Sequence, residues 1–322
     1  MDGITEVAKV FVEPAIKLVD TVARGCGIIY EPTRRKRLAA ASAFEISTIA
    51  DAIRENIDLP ITYNNNGIQI DSSDVKELAE RATKRMLLQE MRKQQNIEAI
   101  VDNAYEELQK ETEVTSDPVD DDWIIRFFNS VEDVSNEKLR MIWGRILAGE
   151  IRTPHSFSMR ALEILRNISK DEAILFERLA NTSFRQNKQS FIPYDMTLLE
   201  EYGINFNTLF QLSSAGIISH TPLELGLPVR KELASVMNDY IIGIFSAIDN
   251  DKEIEIKIQI FKYTDAGRQI LSILSTSEKE SSEFAIKYFA LLKRKYSTCN
   301  VSAYRIKRCE EDYIYHESTC LV

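Results

Sequence analysis

The chain is short of the side chains that carry out chemistry. It has three histidines and four cysteines among 322 residues. None of His155, His220 or His316 falls in an H-E-x-x-H pattern or a recognisable triad setting. The glycine signatures of a nucleophile elbow, a P-loop and a dinucleotide-binding turn are also missing. An enzyme is therefore not expected, and no catalytic residue and no cofactor is assigned. No apolar run reaches the roughly 18 residues of a membrane-spanning helix, and the amino terminus lacks the charged, apolar, small-residue order of a signal peptide. Cys26, Cys299, Cys309 and Cys320 are too few and too unevenly spread for a disulfide framework. Together these absences predict a cytoplasmic protein. A net charge of -10 argues against a general nucleic-acid coat, which needs a positive footprint.

What is present is ordinary globular material, 44% hydrophobic and 28% charged, which excludes disorder for most of the length. Four segments can be drawn: amphipathic helices over 1–57, a helical core over 72–182, a winged-helix-like domain over 183–275, and a basic helix and tail over 284–322. In the first, Ile4, Val7, Phe11, Ala15, Leu18 and Val22 recur on one helical face, with charges on the other. Pro14 suits a first turn, and Gly25 and Gly27 a stop. Packing of this helix on the protein is expected, with a membrane surface as the alternative. Arg34, Arg35, Lys36 and Arg37 open the next helix, where cations oppose the macrodipole. They are candidate contacts for lipid or nucleic acid.

Residues 58–71 read as a loop or small hairpin turning at Asn66-Gly67. A charged helix then runs to about Lys110, with Leu78, Ala82, Met86, Val101, Ala104 and Leu108 at helical intervals and a polar interruption at "RKQQN". Its length allows two helices or a coiled-coil arm. Asp117 and Pro118 mark the next helix start. Trp123, Phe127 and Trp143 lie on apolar faces of two successive helices, so "WGRILAGEI" reads as the buried centre of a helical hairpin, with Gly144 and Gly149 allowing close approach of another backbone. Ser169 and Glu172 have capping-box spacing.

Beyond residue 183 the texture changes. "LLEEYGINFNTLFQLSSAGIIS" reads helix, turn at Gly203, helix, stop at Gly216. "YIIGIFSAIDNDKEIEIKIQIF" reads as a hairpin whose second strand alternates Ile254, Ile256, Ile258 and Ile260 with polar residues. "YTDAGRQIL" reads as a Thr-capped helix. That order resembles a winged-helix module, so the predicted class is mainly α, with helical amino-terminal and central domains followed by a winged-helix-like α+β carboxyl-terminal domain. The second helix contains no Lys or Arg, which favours protein contact over DNA.

Between Phe284 and Cys309 seven cations, Lys293, Arg294 and Lys295 among them, interleave with Phe284, Tyr288, Phe289, Tyr296 and Tyr304. Single-stranded nucleic acid would need such a pattern, and so would the buried face of an amphipathic helix. Cys299, Cys309, His316 and Cys320 fall within 22 residues, but no C-x2-C knuckle is present and no metal is assigned.

Over roughly Leu78 to Ala180, including "RKQQNIEAIVDNA" and "WGRILAGEI", the chain resembles an uncharacterised bacterial family, the domain of unknown function 2806. "IIYEPTRRKRLA" also resembles the amino-terminal phrase of such proteins. The resemblance implies no activity and no catalytic residue. Proteins of this kind are similar to accessory components of antiphage defence loci, which implies a non-enzymatic adaptor or sensor. A protein partner or a homo-oligomer is the expected association. The rivals are a membrane-acting effector using the first helix and a nucleic-acid binder using the basic patches.

Overall fold

A computed structural model describes residues 13–26, 72–111, 114–186, 189–229, 234–248, 254–309 and 314–322. The chain divides into two compact units, Met1–Ser156 and Phe157–Val322.

The first unit is helical where described. It contains α1 (Glu13–Cys26), α2 (Ser72–Leu108), α3 (Asp121–Val131) and α4 (Glu137–Arg152). The charged helix is thus one continuous 37-residue element. Ile100, Val101, Ala104 and Leu108, on its carboxyl-terminal part, are buried, whereas Leu78 and Met86 of the same stripe are exposed. The polar interruption ends on Asn96, which is buried. Its Nδ2 donates to the Glu132 carbonyl at 2.7 Å, and Arg140 Nη2 donates to its Oδ1 at 2.5 Å. Arg140 Nε also donates to the Val134 carbonyl at 2.9 Å. One buried amide therefore pins the α3–α4 turn to α2, which is why polar residues interrupt the apolar pattern there.

α3 starts three residues later than the Asp117-Pro118 signal suggests, because Asp120 is the side chain that accepts the Trp123 N–H at 2.9 Å. Trp123 stacks on Phe127 with centroids 5.1 Å apart, and Phe127 meets Trp143 of α4 edge-on at 5.5 Å. All three rings are buried. Gly144 brings α4 onto α2: a Cβ there would lie 2.5 Å from Asn103 Cβ and 3.0 Å from the Ala104 nitrogen. Gly149 is buried in the same helix, and its carbonyl accepts the Thr153 N–H. α1 packs through Leu18 and Val22. The positions from Ile4 to Phe11, Arg34 to Arg37 and the 58–71 loop lie outside the described residues.

The second unit corrects the mainly-α, winged-helix expectation. Among the described residues it is α+β, built on an eight-stranded sheet in which every pairing is antiparallel. The elements are α5 (Met159–Asn167), α6 (Lys170–Ala180), β1 (Phe184–Gln186), β2 (Gln189–Pro193), α7 (Met196–Glu201), α8 (Phe206–Ser214), β3 (Leu223–Val229), β4 (Ala234–Met237), β5 (Ile241–Ala247), β6 (Ile254–Lys262), α9 (Asp265–Leu271), α10 (Glu278–Lys295), β7 (Cys299–Cys309) and β8 (Ile314–His316). The strand order is β3-β6-β2-β1-β4-β5-β7-β8. β5 and β6 are both strands but not a hairpin: β2, β1 and β4 lie between them. β6 pairs instead with β3, with Leu227 opposite Ile256 and Leu225 opposite Ile258, while β5 pairs with β4 and β7. Alternating isoleucines specify a half-buried strand, but side-chain period carries no information about which neighbour completes the ladder.

The helix ends in this unit follow their local chemistry. Ser169 and Glu172 form the reciprocal capping box of α6, and Thr264 caps α9. Gly203 and Gly216 take positive φ, +71° and +79°, directly after α7 and α8. Ile204 N–H then reaches the Leu199 carbonyl and Ile217 N–H the Leu212 carbonyl, the six-residue closure of a Schellman motif. The core lies where α10 meets the sheet. Phe284, Phe289, Phe184 and Phe245 are buried there, and Gly243 of β5 is the point of closest approach, since a Cβ would fall 2.2 Å from the Phe289 ring.

Candidate binding surface

α8 carries the most distinctive exposed feature of the second unit. Asn205 caps it, accepting from the Thr208 N–H at 3.0 Å and the Thr208 hydroxyl at 3.2 Å. Leu209 and Leu212 are buried, as are Thr208 and Ser213. The helical period then places Phe206 and Phe210, one turn apart, on the outer face. They are 64% and 66% exposed. Around them Asn205, Asn207, Gln211 and Ser214 are exposed too, and no residue from Phe206 to Ser214 is charged. Single exposed apolar side chains are commonplace. Two adjacent phenylalanines in a charge-free helical face form an apolar patch with an amide rim. The end of the helix is fixed by the Schellman closure and by Ser213 Oγ, 2.8 Å from His220 Nδ1, so the patch rides on an ordered element.

The residues singled out for their charge are placed differently. Lys293, Arg294 and Lys295 form the exposed last turn of α10, where cations complement the macrodipole. Phe284, Tyr288 and Phe289 on the same helix are buried in the core. Burial pushes the Tyr288 phenol far above its usual value, with Tyr296 and Asp195 adding in the same direction. Those rings are committed to packing and offer no stacking faces to a nucleic acid. Tyr304 stacks obliquely on His316 at 4.5 Å across the β7–β8 pair. Cys299 is buried while Cys309 and Cys320 are exposed, and among the described residues no three His, Cys, Asp or Glu side chains gather where a metal ion could be held. Among the same residues no helix is long and apolar enough to cross a membrane.

Trp123, Phe127 and Trp143 are side chains of the first unit's interior. The same stripe holds a residue that charge and motif reading overlooked. Glu150 stands seven residues after Trp143 and three after Leu147, so it belongs to the buried face of α4, and it is 0% exposed. Its Oε1 accepts the His155 N–H at 2.6 Å and its Oε2 the Ser156 hydroxyl at 3.3 Å. His155 holds φ at +67°, a left-handed conformation costly for a residue with a Cβ, and the buried carboxylate ties that turn down. Nearby, Lys17 of α1 donates to the Ile151 carbonyl at 2.7 Å and the Thr115 carbonyl at 2.8 Å. Burial pushes the Lys17 ammonium below its usual value, against the raising influence of Asp117 and Glu150. The legible signal was an acid at i+3 and i+4 from Leu147 and Ile146. The arrangement is a brace for the end of α4.

No curated protein and no solved structure matches the chain. The family model described as "Protein of unknown function (DUF2806)" matches residues 80–287, more than half of the chain, from α2 through the first half of α10. Both the aromatic-braced helices and the α8 patch fall inside that span, and the chain belongs to the DUF2806 family.

Proposed function

We propose that this is a non-enzymatic binding protein that acts through association, and that the face of α8 carrying Phe206 and Phe210 is its contact surface. The observation that carries this reading is the pair of adjacent phenylalanines, each about two-thirds exposed, on a capped and rigid helix. Aromatic side chains contribute large contact area at small entropic loss, which is why they anchor interfaces. The simplest occupant is a second copy of the chain. A two-fold contact sets each surface against itself, so it tolerates apolar and amide groups and is penalised by charge. A charge-free face on a protein of net charge -10 meets that condition. The lack of cations on the same face disfavours nucleic acid, whose phosphates need counter-charges.

Sedimentation velocity across a range of protein concentrations tests the proposal. A concentration-dependent dimer that becomes monomeric in Phe206→Asp/Phe210→Asp, with unchanged circular dichroism, is the expected result. A wild-type protein that stays monomeric at tens of micromolar, or a dimer indifferent to the double substitution, overturns it. Binding of single-stranded oligonucleotide or of anionic vesicles that depends on the two phenylalanines would transfer the surface to those ligands.

A further inference from the structure

The second unit contains a cleft of roughly 380 Å³ with a mixed lining, walled by β1, the turn between β4 and β5, α9 with the segment after it, and the start of α10, with Ala180, Leu271 and Leu274 as its apolar side. Part of its polar lining holds the walls in place. Asn238 Oδ1 accepts the Tyr240 and Ile241 N–H groups at 2.9 and 2.7 Å, and its Nδ2 donates to the Ser281 carbonyl at 2.9 Å. The Tyr240 hydroxyl donates to the Thr276 carbonyl at 3.0 Å, fastening the turn to the chain before α10. The cleft is therefore preorganised on both sides.

The remaining lining has a definite chemistry. Its charged members are Arg185, Arg268 and Asp239, an excess of one cation in a protein that is acidic overall. Arg185 is held by Asp239 at 3.3 Å. Arg268 has a weaker tie, 3.8 Å to Asp265, whose side chain is 95% exposed. Ser190 brings a hydroxyl, whereas the Ser272 hydroxyl already donates to the Gln269 carbonyl at 2.7 Å and the Thr276 hydroxyl to Asp239 Oδ2 at 3.4 Å, which leaves those two as acceptors. Gln269 adds a carboxamide whose oxygen is already taken by the Ser158 N–H and hydroxyl. Phe184 turns its ring into the core against Phe191 and Phe289. That leaves no aromatic platform for a base.

We propose that this cleft binds a small phosphomonoester, a compact hydroxyl-bearing molecule with one phosphate. Arg268 is the guanidinium that takes the phosphate, since a planar fork matches its oxygens and this one is not committed to a close carboxylate. Arg185 is a second donor restrained by Asp239. The Ser190 hydroxyl and the Gln269 amide nitrogen donate to the polar remainder of the ligand, and the Ser272 and Thr276 oxygens accept from its hydroxyls. α8 is no part of the cleft, so this inference stands independently of the association surface.

Calorimetric titration of the full chain with inorganic phosphate and with glycerol phosphate, at ionic strength fixed with sodium chloride, is the test. Saturable binding is expected, tighter for glycerol phosphate than for phosphate. Arg268→Gln should weaken it about tenfold or more, the scale of one charge-assisted contact. Asp239→Asn should tighten it, by freeing Arg185 and removing a like charge, a gain that no folding defect produces. Absence of saturable heat at constant ionic strength overturns the proposal. So does an affinity unmoved by both substitutions, or phosphate binding as tightly as its ester, which would mark an adventitious anion only.

Discussion

Substituting Gly144 by alanine sets two effects of opposite sign against each other. In a helix interior alanine is favoured over glycine by about 1 kcal/mol, so a solvent-facing Gly144 would make the variant more stable. The added methyl carbon, however, would stand 2.5 Å from Asn103 Cβ and 3.0 Å from the Ala104 nitrogen. Carbon atoms rest at about 3.5–4.0 Å, so α2 and α4 must part by about 1 Å, and the atoms in the way, Asn103 Cβ and the adjoining α2 backbone, are fixed by the helix and are not the tip of a flexible side chain. Overpacking costs about 1–3 kcal/mol, and a clash this close against atoms that cannot swing aside belongs at the upper end, about 2–3 kcal/mol. After subtracting the propensity gain, a net loss of about 1–2 kcal/mol is expected. With a urea m-value of about 2 kcal/mol/M, that is a midpoint lowered by about 0.5–1 M. Both tryptophans, Trp123 and Trp143, lie in the first unit, so their fluorescence reports its unfolding without interference from the second. A midpoint equal to or above wild type would refute the α2–α4 contact and the reading of "WGRILAGEI" built on it.

Three further outcomes are expected. Glu150→Ala leaves the His155 N–H and the Ser156 hydroxyl without their acceptor and should lower stability by about 2–4 kcal/mol in the same fluorescence assay; an unchanged midpoint would mean that the carboxylate braces nothing. Lys17→Met removes the donor to the Ile151 and Thr115 carbonyls and should cost about 1–3 kcal/mol, with faster amide exchange in α1; unaltered exchange would contradict the docking of that helix. Gly243→Ala drives a Cβ to 2.2 Å from the Phe289 ring and should cost about 2 kcal/mol, seen as earlier loss of sheet dichroism while the tryptophan transition stays put; a shift of the tryptophan signal instead would contradict the division into two units.

Helical features were readable because their signals are local. The Ser169–Glu172 box, the Thr264 cap, the glycines after α7 and α8, and the burial of Trp123 and Trp143 each depend on residues a few positions apart. The sheet was hidden because four of its seven pairings, β2–β6, β3–β6, β1–β4 and β5–β7, join strands that do not follow one another in the chain, and because each of its hairpins contains a short strand. β1 and β4 are three and four residues long, too short to show alternation. In β7, Cys299, Val301 and Ala303 alternate as buried positions with Asn300 and Ser302, but the cations from Arg305 to Arg308 drew the segment toward a basic tail. The same weighting of charge over pattern concealed Glu150, a carboxylate in the middle of an apolar stripe. α8 was read correctly as a helix without cations, yet nothing in its spacing tells which of its four large apolar residues face inward; only packing against the unit decides that Leu209 and Leu212 do and Phe206 and Phe210 do not.

The association surface has one most direct test. A benzophenone amino acid placed at position 210 and irradiated in solution should trap a covalent dimer, with cross-linked peptides joining α8 of one copy to α8 of the other. Yields should fall on dilution and on Phe206→Asp substitution in the same chain. Irradiation that leaves only monomer at concentrations where the wild type would be dimeric, or that joins position 210 to a distant surface, would contradict the account.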